Sequence, residues 1–391
     1  MAQTRVNRRG FIKAAGLTSF SAWLAACSGG GTPAPASSTP PGSATPGSGA
    51  SASASAAPVE TEGALYMYNW ADYINEENIE TFKQRYGIAD WTYDIYPSNE
   101  ELYAKLQGGA TGLYDVAAPT AEWIPDLVTE GFIQKIDWSK VPNQSLINDK
   151  FRKLWWDPND EYQLPKDWGT TGIAIRTKYV TEDIKSWKDF FDVAPKYSGK
   201  IVVVDSMGDV FTAPLKALGY SLNSVDPGEL AEARELLRGL APHVLARNSD
   251  TYEEVLKDGE SGAVLGITWT GGLDELKAEP QWADIKYVIP EDGTLYWMDT
   301  WVILADPPHP EAAHAWLNFI QEPEIQAKET ITNAYATPND AAKEFIPQEM
   351  LDDPTIFVPD EIFPKLEGAE NVSTNPLRVE IWEEFVSSIG G

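Results

Sequence analysis

The chain has 391 residues, 43% of them hydrophobic, with 30 basic against 59 acidic residues and a formal charge of -29. That is enough apolar material for two lobes with cores of their own, and a field of that sign repels nucleic acid and anionic lipid while drawing cations toward any acid-lined cleft. The single cysteine, Cys27, excludes a disulfide framework and a cysteine-based zinc site. His243, His309 and His314 are not at the four-residue spacing that puts two metal ligands on one helical face, so neither metal nor cofactor is expected.

Residues 1–27 read as an export address. Arg8 and Arg9 precede Phe11 and Lys13, a short apolar run follows, and small residues lead to Leu24-Ala25-Ala26-Cys27. The run is too short to span a membrane as a helix. The paired arginines resemble the twin-arginine signal, which implies export after folding. Leu24-Ala25-Ala26-Cys27 resembles a bacterial lipobox, which implies that Cys27 carries the lipid of the mature chain. The following segment, 28–62, is almost entirely Gly, Ser, Ala, Thr and Pro up to Val59 and carries no charge before Glu60. It cannot bury apolar surface, so a disordered tether is expected.

From residue 64 onward strands and helices alternate. A strand is expected over 64–70, then a helix in which Ile79, Phe82 and Tyr86 fall on one face and Gly87 is the stop. Further strands are expected at 91–96, 116–118, 172–175, 201–204 and 262–268, with helices at 99–107, 122–130, 227–239, 252–257 and 310–321. The stretch 294–304 is crowded with aromatic and β-branched residues and reads as one long strand. Such alternation argues α/β with open mixed sheets, whose ligands bind beyond the carboxyl ends of the strands. No dinucleotide or P-loop glycine pattern occurs; Ser198-Gly199-Lys200 reads as a turn into the next strand, and Gly271-Gly272 as tight backbone. No nucleophile elbow is present, nor a histidine placed to serve a serine.

Acids and aromatic residues recur together where strands end: Trp70, Asp72 and Tyr73; Asp205 and Asp209; Trp269; and, inside the long strand, Trp297 and Asp299. Alternation puts Trp297, Asp299 and Trp301 on one face, so a carboxylate stands between two indoles. An unpaired carboxylate against aromatic surface tends to neutralise, so Asp299 is either solvated or meant for a cation. Asp205 also fits a helix cap, and Trp301 a core position. Carboxylates accept from ammonium groups while aromatic faces hold cations and methylenes, which is the alternation a linear polyamine requires. Paired acids also suit a secreted carbohydrate-active enzyme, and acid with Trp suits a sugar or other amine.

In series, Y-N-W-x-acid-Y, Y-D-V-x-x-P at 114–119, D-W-G at 167–169, D-x-x-x-acid-V-F at 205–211, N-S-D at 248–250, I-x-W-x-G at 267–271, W-M-D-T at 297–300 and T-P-N at 337–339 resemble the polyamine-binding proteins, of the spermidine and putrescine type, that serve ABC importers. The resemblance implies a two-lobed periplasmic type II substrate-binding fold with the ligand cleft between lobes, and a monomeric binder rather than an enzyme. It places 63–167 with 300–345 in one lobe and 168–299 with 346–391 in the other. Carried over by position, Trp70, Asp72, Tyr73 and Thr120 line the cleft from the first lobe. Asp209 takes a terminal ammonium, with Asp205 or Ser206 near it and Ser249 and Trp269 completing that wall, while Trp297 and Asp299 receive the middle of the ligand. Glu122 stands where some relatives carry an aromatic residue, either to meet a further ammonium or to open a helix, and Glu370-Asn371-Val372-Ser373 gives no match for a glutamine some relatives use. The partners implied are a polyamine, an ABC permease and, through Cys27, the membrane.

Overall fold

The computed structural model describes residues 60–277 and 279–389; the export address, Cys27 and the tether up to residue 59 lie outside them. The strands, in chain order, are β1 (Ala64–Asn69), β2 (Asp90–Ile95), β3 (Val116–Ala117), β4 (Ile133–Gln134), β5 (Gln163–Thr170), β6 (Gly172–Arg176), β7 (Ile201–Val203), β8 (Val244–Arg247), β9 (Leu265–Thr268), β10 (Ile285–Val288), β11 (Thr294–Leu304) and β12 (Leu366–Gly368). They form two mixed sheets, one ordered β12-β11-β3-β1-β2 with β4 and β5 also on β11, the other β10-β6-β9-β7-β8. Each sheet anchors a lobe, but the expected lobe boundaries are corrected: β5 runs on to Thr170, β11 starts at Thr294 and β12 lies at Leu366–Gly368, all in the first sheet, so Trp297 and Asp299 belong to the first lobe.

β11 is the spine of the first sheet. It pairs antiparallel with β5 from Tyr296 to Val302, and with β12, β3 and β4 along the rest of its length. Every residue of β11 except Tyr296 is buried, as is all of β5. Strands covered on both faces are held by apolar side chains on each side, here Met298 and Val302 among the buried core of Leu65, Met67, Val116, Trp316 and Phe319. Trp301 is fully buried, its ring 5.7 Å from that of Trp316. The second lobe buries Ile173, Ile201, Val203, Phe211 and Leu237 on one face of its sheet and Val202, Val204, Tyr252 and Leu273 on the other.

Local chemistry places the helices. Asn75 accepts from the Asn78 backbone N–H to open the helix Glu76–Tyr86, and Gly87, at φ 68°, closes it in the left-handed conformation expected of that glycine. Glu62 accepts from the backbone N–H groups of Glu311 and Ala312 at the start of Pro310–Ile320, and Thr61 donates to Tyr86 O, so the end of the tether expected over 28–62 is corrected: these two residues are held by the folded body. The expected helix over 122–130 is divided: Ala121–Trp123 is a 3-10 turn and Ile124–Thr129, with Pro125 in its first turn, is the α-helix. Gly199, at φ 72°, makes the turn into β7.

The chain passes between the sheets three times. β5 runs into β6 through Thr171, whose N–H donates to Leu295 O while Thr294 donates to Thr171 O. The return runs from β10 to β11. After β12 the chain leaves again, and the helix Pro376–Ser388 delivers Ile381 and Phe385 to the second core. Arg378 of that helix is buried, donates to Leu222 O and lies over the Phe211 ring. On β12, Glu367 accepts from Lys216 (3.0 Å) and from Asn223, which ties the helix Met207–Ala217 and the loop after it to the first sheet.

β5 approaches β11 closely only because Gly169 faces Trp297. A methyl group at Gly169 would meet the indole Cζ2 at 2.5 Å. Gly169→Ala is expected to cost roughly 1–3 kcal/mol, the range for overpacking. Thermal unfolding followed by circular dichroism checks this, and an unchanged midpoint would show that the indole can move aside.

Candidate functional site

The residues singled out in the sequence follow the carboxyl ends of β1, β3, β7, β8 and β9, or lie within β11. Tyr73 stands in the loop between β1 and the helix Glu76–Tyr86. Its ring joins Trp297, Tyr335, Leu222 and Leu295 in a buried cluster, with Trp70 and Trp269 packed against it. The cluster draws on both lobes. Trp297 meets Tyr335 edge to face at 4.7 Å, and Tyr73 meets the same ring at 6.0 Å. Trp70 donates from its indole to Ala118 O at 2.8 Å and packs on Tyr96.

Asp299 is buried at the centre of β11. The Tyr73 hydroxyl lies 2.7 Å from its Oδ2 and also within hydrogen-bonding reach of Asp167, across β5. Thr120 forms an isolated antiparallel bridge with Asp299, and its own hydroxyl accepts from Asn99 at 2.8 Å. Burial pushes the Asp299 carboxyl up to about 7; the charge of Asp167 acts the same way, against the Tyr73 hydrogen bond, the Lys166 charge and the Thr120 hydroxyl. Burial and both carboxylates hold the Tyr73 hydroxyl well above its ordinary range, so it remains a donor.

Asp209 is the counterpart in the second lobe. It sits in the first turn of Met207–Ala217, where the helix dipole favours an acid. It accepts from the Thr171 hydroxyl and from the Trp269 indole at 2.9 Å, and its own N–H is capped by Ser206. These donors to its carboxylate are neutral. Burial raises its carboxyl, against the bonds from Ser206, Thr171 and Trp269. Glu122 feels the charge of both acids: burial pushes it up to about 8, opposed by its own backbone N–H, with the charges of Asp299, Asp209 and Glu100 adding to the rise.

Asp205 has a different setting. Ser206, not Asp205, caps the helix, and Asp205 pairs with Arg247 while its N–H donates to Ser249 at 2.8 Å. The cap reading for Asp205 is therefore corrected: Ser206 is the residue with the extended backbone that points a side-chain oxygen into the first turn. Asp72 is exposed, at φ 49°, a left-handed conformation that Asp tolerates better than most residues. Contacts and ladder pairing thus join Tyr73, Thr120, Trp297, Asp299, Trp269, Asp209 and Trp70, Glu122 is linked to them through charge, Asp205 and Ser249 contact each other, and Asp72 is exposed beside the first strand. Four residues of the site escaped sequence reasoning: Lys166, Asp167, Asn99 and Tyr335. Lys166-Asp167 inside a strand is the same anomaly as Asp299, and Tyr335 precedes T-P-N by two residues; both were visible.

Residues 51–358 match the family described as bacterial extracellular solute-binding protein. The chain is 33% identical over 335 residues to the spermidine/putrescine-binding periplasmic protein of Escherichia coli K12, covering 85% of this chain and 93% of that one. It is 32% identical over 317 residues to the putrescine-binding periplasmic protein SpuD of Pseudomonas aeruginosa, covering 77% and 85%. Among solved structures, the Tp0655 (TpPotD) lipoprotein of Treponema pallidum superposes with a TM-score of 0.71 at 26% identity, over 83% of this chain and 98% of that one. The spermidine/putrescine ABC transporter substrate-binding protein PotD of Streptococcus pneumoniae gives 0.70 at 28%, over 84% and 99%.

Acids held above their ordinary range bind protons more tightly folded than unfolded, so the stability they contribute is complete at low pH and lost as pH rises through about 7 for Asp299 and 8 for Glu122. Carboxyls held below their ordinary range have finished titrating by about pH 5. Ligand-free protein is expected to lose thermal stability between about pH 5 and pH 8, and Asp299→Asn to flatten that decline by about 2 °C or more. Scanning calorimetry across the range decides; parallel curves would return Asp299 to an ordinary solvated acid.

Proposed function

The chain belongs to the bacterial extracellular solute-binding protein family, and on that premise we propose that it captures a linear polyamine, of the spermidine or putrescine type, between its lobes and delivers it to an ABC permease. The observation that carries this reading is the pairing of two buried acids from opposite lobes with one aromatic wall: Asp209 under the Trp269 indole, and Asp299 under Tyr73 beside Trp297. Buried carboxylates bonded mainly by neutral donors are costly as anions and gain most from an incoming ammonium. The indole and phenol faces accept both the cation and the alkyl stem between cations. Named relatives bind spermidine and putrescine or putrescine, which supports the same chemistry here.

In this reading Asp209 holds one terminal ammonium and Asp299 an inner one, Trp297 and Trp269 lie along the methylenes, and Trp70, Tyr73 and Thr120 shape the first wall. Glu122 adds an acid near both. Asp205 and Ser249 act as a framework for the Asp209 helix rather than as direct partners, since Arg247 already satisfies Asp205. Nothing in this role requires bond cleavage, and membership of a solute-binding family supports reading the protein as a carrier. Among the described residues, no helix is long and apolar enough to cross a membrane. Membrane attachment is assigned to a lipid on Cys27 after twin-arginine export, with 28–59 as tether; the Treponema pallidum relative is itself a lipoprotein.

Removing one side of a buried ion pair costs roughly 3–5 kcal/mol, while an exposed charge is worth at most about 1. Asp299→Asn and Asp209→Asn are each expected to weaken polyamine binding at least a hundredfold, about 2.7 kcal/mol, and Trp297→Ala to cost about 2 kcal/mol. The exposed Asp360→Asn serves as control. Titration calorimetry with putrescine and spermidine measures all four; equal losses across them would reduce the attraction to overall charge. Separately, Cys27→Ala is expected to release the protein from membrane fractions or to leave an unprocessed precursor, and normal processing with full membrane retention would argue against the lipobox.

A further inference from the structure

β5 carries a bulge opposite Asp299. Asp167 pairs with Asp299 and Pro165 with Thr300, so Lys166 is the extra residue. A bulge re-aims consecutive side chains, and here it turns two charged ones into the same place. Lys166 Nζ lies 2.6 Å from Asp167 Oδ2, with the two side chains 1% and 2% exposed. The same ammonium stands 3.2 Å from the centroid of the Tyr73 ring and 5.8 Å from that of Trp301. The bulge is pinned from behind by Gln321, which donates to Pro165 O, and Gln326, which donates to Lys166 O, both at 2.8 Å. The next acid outward, Glu329, is occupied by the Asn75 N–H and the Asn78 amide.

One carboxylate and one aromatic face are the contacts a ligand ammonium would take, and the chain makes them with its own lysine. Asp167 and Asp299 contribute two negative charges around one Tyr73 hydroxyl, which has a single proton to give. Lys166 cancels one of them. Resting on the polyamine reading, we propose that Lys166 is a resident ammonium that neutralises Asp167 and thereby sets the Asp299 end of the cleft to accept one ligand ammonium rather than two. Lys166 is a specificity-determining residue on this account, acting through charge rather than by touching the ligand. It also explains why an acid as deeply buried as Asp167 can lie next to Asp299: the pair is never asked to carry two uncompensated charges.

The test is a charge cycle read by titration calorimetry with putrescine and spermidine, at a mildly alkaline pH above the value of about 7 to which burial pushes Asp299 and where the amines are still charged. Asp167→Asn frees the Lys166 charge to act on Asp299 as well as on Glu329, so affinity for both amines is expected to fall at least tenfold. Adding Lys166→Met to that variant removes the competing cation, and the double variant is expected to bind at least tenfold more tightly than Asp167→Asn alone. Lys166→Met by itself leaves two acids facing one ligand ammonium, so the preference for spermidine over putrescine is expected to rise at least tenfold. Should that single variant fail to fold, Asp167→Asn and the double variant decide the matter. Failure of the double variant to recover, or wild-type affinity in Asp167→Asn, would reduce Lys166–Asp167 to a structural ion pair. The wild-type titration separates the two levels: no binding of either amine there overturns the proposed function, whereas wild-type binding with equal affinities across the cycle overturns only the role of Lys166.

Discussion

The antiparallel pairing of β5 with β11 is the constraint on which the rest of the molecule depends. It lies where the chain leaves the first sheet for the second and where it comes back, so the same hydrogen-bonded ladder that builds one lobe also fixes the start of two crossings. It sets Gly169 over Trp297, which seats the indole against Tyr335, and it sets Asp167 opposite Asp299, which makes Tyr73 the bridge between them. A sheet register is all or nothing: a slip of one residue sends every side chain to the other face. The binding wall and the core of the first lobe are therefore specified by one event, and the side chains of both are settled together.

Much of this was legible in the amino-acid order. β11 has the extent expected for 294–304, and β6, β7 and the helix starting at Pro310 agree to within a residue, because their patterns are strong and their ends are marked by Gly or Pro. Of the acids and aromatic residues at strand ends, Tyr73, Trp70 and Trp269 pack in one cluster with Trp297, and Asp209 accepts from Trp269. β5 was not seen, since Pro165, Lys166, Asp167 and Gly169 each lower the propensity of a strand, and it is the partner strand, Trp297 and two glutamine side chains that hold it extended. Met207–Ala217 carries Pro214 within it and was missed for the same reason. The role of Asp205 could not be read from its neighbours, because Arg247 reaches it from a different strand. What sequence reasoning lacked in each case was a tertiary contact that overrides a local preference.

Electrostatically the cleft is built from unfinished business. The acids are placed in apolar surroundings and given hydroxyl and indole donors, which orient a carboxylate without neutralising it. On the proposed function, such a site stores part of the cost of desolvation in the empty protein, to be recovered when a cation of matching shape enters. Where the cost would be excessive, around Asp167, the chain adds its own cation. The contrast between Asp209, served by neutral donors, and Asp167, served by Lys166, divides the acids of one cleft into those left open and those already closed.

The placement of the helix Pro376–Ser388 in the second core bears on how the chain is made. Ile381 and Phe385 follow far behind Ile173 and Ile201 in the chain, yet they complete the core that those residues begin; the first sheet likewise waits for β11 before β3 has a second neighbour beside β1. Neither lobe can close while the nascent chain is short, so contacts distant in sequence must form after synthesis is nearly done. A truncated or prematurely released chain would expose apolar surface in both lobes at once and be open to proteolysis. Closure of the second lobe is thus tied to the helix Pro376–Ser388, although most of that lobe lies far upstream of it in the sequence.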